Sequence, residues 1–103
     1  MYILKQQENG IIRFSLEGRL DANASAELQD ELIPALDEEK MIELDFSKID
    51  YVSSAGLRVL LMGQKAANAK SVSLTMSGVS KDVIEVFKMT GFDDIFNINP
   101  QNN

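Results

Sequence analysis

The first apolar and polar positions of the chain predict a β-hairpin followed by a helix. Residues 2–5 and 11–16 are β-prone runs, and the turn signal Asn9-Gly10 stands between them. Residues 18–21, Gly-Arg-Leu-Asp, break this pattern, and Asp21 is a good N-cap for the helix that follows. Pro34 is expected to kink or shorten the end of that helix. Its apolar face would carry Ala24, Leu28, Leu32 and Leu36.

The middle of the chain predicts a strand, a loop and a largely buried helix. Residues 41–46 alternate apolar with acidic side chains, as a strand does, and lead into a loop at 47–50. Residues 54–68 are helix formers with a broad apolar face and a polar remainder. The apolar face would carry Leu57, Val59, Leu60, Leu61 and Met62, and the polar remainder Arg58, Gln64 and Lys65.

The last third of the chain predicts one more strand and one more helix. Residues 72–76 form the strand, and Ser77-Gly78 turns the chain. Ser80 caps the helix, and Gly91 is placed to end it. The residues that recur at helical spacing between them are Val83, Val86, Phe87 and Thr90.

Residues 94–98 predict a last short strand, and residues 100–103 a disordered tail. The order of elements is then β-β-α-β-α-β-α-β. The hairpin must be antiparallel, whereas helices between the later strands favour parallel pairing. We therefore expect a single α/β domain, residues 1–99, in which helices pack on a mixed β-sheet.

Composition narrows the chemistry that is open to this domain. The 103 residues include neither His nor Cys, which excludes Ser-His catalysis, thiolate chemistry and most zinc sites. The net charge is −6 and no basic cluster is present, so no nucleic-acid partner is expected. Apolar runs such as residues 59–62 are far shorter than the roughly 20 residues that span a bilayer. Without a signal-peptide pattern at its start, the chain is expected to be cytoplasmic and not membrane-bound.

Residues 50–57, Asp-Tyr-Val-Ser-Ser-Ala-Gly-Leu, join the third predicted strand to the second helix, an edge where functional loops gather. Four interpretations compete: a helix cap, a catalytic serine, a phosphate cradle, and a serine that receives a phosphate. A catalytic serine usually stands in Gly-x-Ser-x-Gly beside a histidine. A phosphate cradle requires more glycines and a lysine. A Ser-Lys dyad stays open, with Lys48, Lys65 or Lys70 as its base.

The cap and the phosphorylated serine share one geometry. Ser53 or Ser54 could accept hydrogen bonds from the first-turn amides, which contributes about 1 kcal/mol. A cap alone does not explain Ala55-Gly56, because glycine in a helix costs up to about 1 kcal/mol relative to alanine. These small residues indicate close approach by a neighbouring helix or by another protein. A phosphate here would gain from the helix dipole, and its charge would repel a docked partner.

Four short motifs in register resemble the anti-sigma factor antagonists, whose fold is called the STAS domain. Residues 18–21 resemble the family's Gly-x-Leu-Asp, and residues 44–47 its Leu-Asp-Leu-Ser. Residues 50–57 are similar to the central signature, apolar-Asp-Ser-Ser/Thr-Gly-Leu, and residues 87–92 to Phe-x-x-x-Gly-Leu/Phe. The resemblance implies that Ser54 is phosphorylated by an anti-sigma factor that is also a kinase. This sequence departs from the signature at Ser53, where Asp is typical, and Ser53 is the alternative acceptor.

The resemblance also implies partner switching, not catalysis, so no catalytic residue, metal or cofactor is expected. Unphosphorylated protein would bind an anti-sigma factor serine kinase and release a sigma factor. Phosphorylation of Ser54 would end that binding, and a PP2C-type phosphatase would restore it. A rival function is a non-switching STAS scaffold in a transport system or stress-signalling assembly. The free protein is expected to be a monomer whose partner-binding surface comprises Asp21, Asp45, Tyr51, Ser53, Ser54, Gly56 and Arg58.

Overall fold

The computed structural model describes residues 1–101 and contains five strands and three α-helices. The five strands form one sheet, in which the first two are antiparallel and each later neighbouring pair is parallel. The predicted mixed α/β fold and its order of elements are therefore confirmed. In chain order the elements are Tyr2–Glu8 (β1), Ile11–Leu20 (β2), Ala22–Ala35 (α1), Met41–Val52 (β3), Ser54–Ala69 (α2), Ser73–Val79 (β4), Lys81–Thr90 (α3), one turn of 3-10 helix at Phe92–Asp94, and Asn97–Pro100 (β5).

The opening hairpin follows from its two turn residues. Asn9 and Gly10 have φ angles of 55° and 79°, which a two-residue turn requires and which Asn and Gly adopt at low cost. The turn sets the register of the hairpin, so that Ile3 of β1 lies opposite Leu16 of β2. A local signal in the sequence thus determines how the first two strands pair.

Four strands are longer than the sequence predicts. β1 runs on to Glu8, three residues past its predicted end, without a register shift. The other three run on through a predicted break, loop or turn. β2 runs on to Leu20, through all but the last residue of the predicted break at 18–21, and β3 runs on through the predicted loop at 47–50. β4 runs on through the predicted Ser77-Gly78 turn. Each of these last three extensions contains a register shift against a neighbouring strand, a local bulge at which pairing resumes after an extra residue. Polar residues and glycine at a bulge look like a turn in the sequence, and these three predictions are therefore wrong.

The last strand also lies later than the sequence predicts, since the 3-10 turn occupies the start of the predicted segment. Pro100 pairs with Val79 of β4. The backbone N–H of Gln101 donates to the carbonyl oxygen of Val79 at 2.9 Å. The predicted tail at 100–103 therefore begins too early, and its last two residues, Asn102 and Asn103, lie outside the described residues.

The helix ends follow local signals, as predicted. The Asp21 carboxylate accepts a hydrogen bond of 2.9 Å from the third residue of α1, and the Ser80 hydroxyl accepts one of 3.2 Å from the third residue of α3. Pro34 lies in the last turn of α1, which ends one residue later. Gly91 ends α3 in the left-handed conformation, with φ 77°.

The three helices cover one face of the sheet. Neighbouring parallel strands joined in sequence by right-handed crossovers place every helix on the same side. Side chains alternate along the central strands between buried positions and exposed or half-buried ones, which leaves the other face open to solvent. None of the helices within residues 1–101 is long and apolar enough to cross a membrane. The buried strand residues include Ile12, Phe14, Leu16, Ile42, Leu44, Phe46, Leu74 and Met76.

α2 buries most of the predicted apolar face, including Leu57, Val59 and Leu60, but two positions differ from the prediction. Gln64 is 3% exposed, whereas Met62 is 38% exposed, the reverse of their predicted places. The helix packs against α1 as well as the sheet. Gly63 lies so close to α1 that a Cβ atom there would be 2.7 Å from Leu32 Cδ2. Packing on two sides encloses Gln64 and leaves Met62 on the outer side.

The buried side chain of Gln64 has one polar atom without a partner. Nε2 donates to Asn68 Oδ1 at 3.0 Å, but Oε1 has no hydrogen-bond partner within residues 1–101. Burying such an atom costs about 1–3 kcal/mol. We expect Gln64→Met, which keeps the side-chain length, to raise the free energy of unfolding in urea by about 1 kcal/mol.

The control for this substitution is Gln6→Met on the exposed strand β1. It should change the free energy of unfolding by no more than about 0.5 kcal/mol, as surface substitutions usually do. A loss of stability in Gln64→Met would contradict the prediction, because the loss of the hydrogen bond to Asn68 would then outweigh the removal of the unpartnered Oε1.

Candidate functional site

The joint between β3 and α2 is held by Ser53. Its hydroxyl accepts a hydrogen bond of 3.1 Å from the backbone N–H of Gly56 and donates one of 2.9 Å to the carbonyl oxygen of Leu20. Its backbone N–H donates to the same Leu20 oxygen at 3.0 Å. Ser53 is therefore the N-cap of α2 and also ties the end of β2 to the start of α2.

These contacts explain what a serine does at position 53 where the family signature has aspartate. A carboxylate could accept from the N–H of Gly56 and would be favourable beside the helix dipole. It has no hydrogen to donate to the Leu20 carbonyl, however. The hydroxyl can donate and accept at once, so Ser53 makes two bonds where a carboxylate would make one.

Gly56 explains why the residues after the two serines are small. A Cβ atom at this position would lie 2.9 Å from both the carbonyl oxygen and Cγ of Leu20. The close approach predicted from Ala55-Gly56 is present, but it is made by the end of β2 of the same chain and not by a neighbouring helix, as expected from the sequence. Gly56 is buried, so it shapes the predicted partner-binding surface from beneath and does not line it.

Ser54 is the first residue of α2 and is exposed. Within residues 1–101 its hydroxyl makes no hydrogen bond, in contrast to that of Ser53. It lies at the positive end of the helix dipole, beside first-turn amides that have no acceptor within the helix. The hydroxyls of Ser53 and Ser54 therefore differ, since the first is used by the fold and the second is free.

Two other predicted residues, Tyr51 and Arg58, lie near Ser54. Tyr51 precedes the joint by two residues and is partly exposed, with the Arg19 guanidinium 4.0 Å from the centroid of its ring. Arg58 is exposed one helical turn after Ser54. Asp21 follows Leu20 directly and caps α1, so it lies at the same edge of the sheet.

Asp45 is not brought to this edge. It lies in the middle of β3, paired with Ser15 on one side and Ser77 on the other, and its carboxylate accepts from the N–H of Ser47 at 2.9 Å. Asp45 lies seven positions before Val52, which is about 23 Å along an extended strand. The structure thus gives Asp45 a local role in the bulged strand.

The sequence did not identify two residues of this site, Leu20 and Arg19. Leu20 contributes through its carbonyl oxygen, which accepts from Ser53. Arg19 contributes through its contact with the Tyr51 ring, and these two residues are neighbours only because β2 pairs with β3. A backbone oxygen leaves no signal in side-chain patterns. Cross-strand neighbours follow from a register that the bulges shift. Both residues lie in the motif at 18–21, but their contacts with Ser53 and Tyr51 could not be found from the sequence.

Within residues 1–101, none of the three lysines considered as the base of a Ser-Lys dyad lies close to Ser54 along its strand or helix. Lys65 is 11 residues further along α2, about 16 Å away at the rise of a helix, and Lys70 is more distant still. Lys70 also pairs with Asp37. Lys48 is six residues back along β3, about 20 Å in an extended strand. Within residues 1–101 no group of three or more carboxylates could hold a metal ion.

The sequence and the fold both match known proteins. Residues 4–98 match the family described as Mlab, STAS domain. BtrV of Bordetella bronchiseptica, described as a candidate anti-sigma factor antagonist, is 32% identical over 97 residues, which cover 93% of this chain and 84% of BtrV.

Solved structures share the fold at lower identity. The Bacillus anti-sigma factor antagonist SpoIIAA superimposes in its unphosphorylated form with a TM-score of 0.79 at 17% identity, over 94% of this chain and 87% of SpoIIAA. Its phosphorylated form gives 0.74 at 16%, over 94% and 90%. A sulfate transporter family protein from Wolinella succinogenes gives 0.76 at 18%, over 91% and 80%. The match of residues 4–98 and the identity with BtrV show that this chain belongs to the STAS domain family of anti-sigma factor antagonists.

Proposed function

We propose that this protein is an anti-sigma factor antagonist that acts by partner switching, with Ser54 as the phosphoacceptor. The unphosphorylated form binds an anti-sigma factor that is also a serine kinase, and a sigma factor is released. Phosphorylation of Ser54 ends that binding, and a PP2C-type phosphatase restores it. The observation that carries the proposal is the free, exposed hydroxyl of Ser54 at the start of α2, beside a Ser53 hydroxyl that is already bonded.

Ser53 is the poorer phosphoacceptor because its hydroxyl bonds both the end of β2 and the first turn of α2. A phosphate on Ser53 would have no hydrogen to donate to the Leu20 carbonyl, and it would place negative charge beside that oxygen. A phosphate on Ser54 breaks no hydrogen bond of the described residues and gains from the helix dipole. Ala55, at the second hydroxyl position of the signature, has no hydroxyl at all.

In this function the protein is a substrate and a ligand and performs no catalysis. The added phosphate brings about −1.5 to −2 charges to a surface residue, which a docked partner must desolvate or repel. The fold itself tolerates the charge, so the switch can act on the complex without unfolding the protein. We infer a cytoplasmic protein that is monomeric when free, with the kinase and the phosphatase as its partners.

The experiment that tests the phosphoacceptor is labelling with a candidate kinase, an ATP-binding anti-sigma factor to be sought among the genes that neighbour the one for this protein. Incubation with ATP should add one phosphate to the wild type and to Ser53→Ala, and none to Ser54→Ala, as read by intact-protein mass spectrometry. The physical reason is that, of the two serines at this joint, Ser54 has the exposed hydroxyl with no hydrogen bond to any of residues 1–101. Full labelling of Ser54→Ala would overturn the assignment.

A second candidate function is a STAS domain that serves as a non-switching scaffold. The likeness in fold to a sulfate transporter family protein favours it. A scaffold of a transport system or stress-signalling assembly would need neither the kinase nor the free hydroxyl. If the wild type takes up no phosphate and does not bind the kinase, the scaffold is the better function.

A further inference from the structure

The segment around α2 carries positive charge in an otherwise acidic protein. All sixteen acidic residues lie outside residues 51–81, and this segment holds four of the ten basic residues. The segment therefore has a net charge of +4, whereas the rest of the chain, with six basic and sixteen acidic residues, has −10. A partner that approaches this segment meets a charge opposite to that of the remaining chain.

One exposed line of side chains runs along α2 from the proposed phosphoacceptor. Ser54, Arg58, Met62 and Lys65, here named the α2 stripe, recur every three or four residues, and all four are exposed. At the rise of an α-helix the stripe is about 16 Å long. It combines two cations and one apolar side chain with the free hydroxyl at its end.

The cations of the stripe are not neutralised by the protein itself. The ion pairs within residues 1–101 are Lys5–Glu38, Arg13–Glu43 and Lys70–Asp37, none of which involves the stripe. The acidic residues of the neighbouring helix α1 face the other way. Glu27, Asp30 and Glu31 line a cleft with Met1, Tyr2 and Ile3, on the β1 side of the molecule.

We propose that the α2 stripe docks against an acidic surface of the kinase partner. A phosphate on Ser54 would then pair with Arg58 and make its positive charge unavailable to that surface. This inference rests on the proposed function. Arg58 and Lys65 supply charges complementary to carboxylates, and Met62 supplies an apolar contact between them. Surfaces of opposite charge also speed association, which suits a partner that must be captured from a competing complex.

The switching part follows from the spacing of Ser54 and Arg58. Residues four apart on a helix are neighbours, and opposite charges at this spacing pair. A phosphate forms strong charge-assisted hydrogen bonds with a guanidinium. Phosphorylation would then act twice, since it repels the carboxylates of the partner and also engages the arginine that held them.

The docking surface is tested by calorimetric titration of the kinase that labels the wild-type protein. At low salt, about 50 mM, we expect Arg58→Gln and Lys65→Gln each to weaken binding about 5–10-fold, and the loss to shrink at about 500 mM salt as screening increases. Lys88→Gln is the matched control, because this exposed lysine lines a cleft with Pro100 and Gln101 on the β5 side, away from the stripe. It should bind within about twofold of wild type.

All three substitutions are at exposed positions and should leave the thermal unfolding midpoint unchanged. Wild-type affinity in both Arg58→Gln and Lys65→Gln would overturn the docking surface. Labelling of Ser54 would then still support the proposed function. If the wild type neither binds the kinase nor takes up phosphate, the proposed function itself fails, so the two failures are distinguishable.

The role of Arg58 is tested by combining substitutions. If a negative charge at position 54 acts partly by engaging Arg58, Ser54→Asp should weaken binding by a smaller factor in an Arg58→Gln background than in the wild type. In a Lys88→Gln background the factor should be the same as in the wild type. If Ser54→Asp weakens binding by the same factor in all three backgrounds, the role proposed for Arg58 in the switch is wrong.

Discussion

Replacing Ser54 by aspartate is expected to weaken binding of the anti-sigma factor kinase by about tenfold or more. The substitution places a permanent negative charge at the exposed start of α2, where the proposed phosphate would lie. The fold should tolerate it, since an acidic side chain in the first turn of a helix gains about 0.3–1 kcal/mol. Weaker binding together with an unchanged or higher unfolding midpoint would therefore report on the interface, and calorimetry with thermal denaturation measures both.

The matched control is Ser54→Asn, which has the size of aspartate without its charge. We expect it to bind within about threefold of wild type, because it adds nothing for the partner to repel. An equal loss in the Asn and Asp proteins would contradict a switch based on charge. Unchanged binding in both would place the partner on another surface.

Gly56→Ala is expected to lower the free energy of unfolding by about 2 kcal/mol in urea denaturation. The new Cβ atom would lie 2.9 Å from the carbonyl oxygen of Leu20. That oxygen is held by two hydrogen bonds from Ser53 and cannot move without breaking them. Alanine regains up to about 1 kcal/mol of helix propensity, which offsets only part of an overpacking cost of about 1–3 kcal/mol or more.

Gly63→Ala is the matched control, since it makes the same change in the same helix. Its Cβ atom would meet Leu32 Cδ2 at 2.7 Å, but that atom is the end of a flexible side chain and can turn aside. We expect a loss below about 1 kcal/mol. If Gly56→Ala lowers the free energy of unfolding by no more than Gly63→Ala does, the contact with the Leu20 carbonyl does not require a glycine at position 56.

The predictions that the structure confirms rest on local signals. Asn9-Gly10 makes the hairpin turn, Asp21 and Ser80 cap their helices, and Gly91 ends α3. Each of these residues acts on backbone groups within four positions of itself in the chain. The strand extents failed for the opposite reason, because β2 and β3 continue only where a distant strand supplies hydrogen bonds across a bulge.

The candidate site, like the fold, was predictable only as far as local signals reach. The sequence placed two serines at a strand-to-helix joint and left open which of them caps the helix. The difference between them depends on the Leu20 carbonyl, 33 residues away in the chain, which engages Ser53 and leaves Ser54 free. The predicted partner-binding surface included Asp45 only because Asp45 lies in a family motif. Its position in the middle of β3 separates it from the other members of that surface.

The sequence by itself therefore determined the order of elements, the hairpin turn, the caps of α1 and α3, and the location of the two hydroxyls, because these depend on residues that are close along the chain. Tertiary structure alone decided which hydroxyl is free, why Gly56 must be small, and that Gln64 is buried while Met62 faces solvent. Those outcomes depend on how β2, α1 and α2 pack, and contacts between distant segments leave no periodic pattern in either segment. The fold distinguishes the two serines because the Ser53 hydroxyl bonds the Leu20 carbonyl, which leaves the Ser54 hydroxyl free.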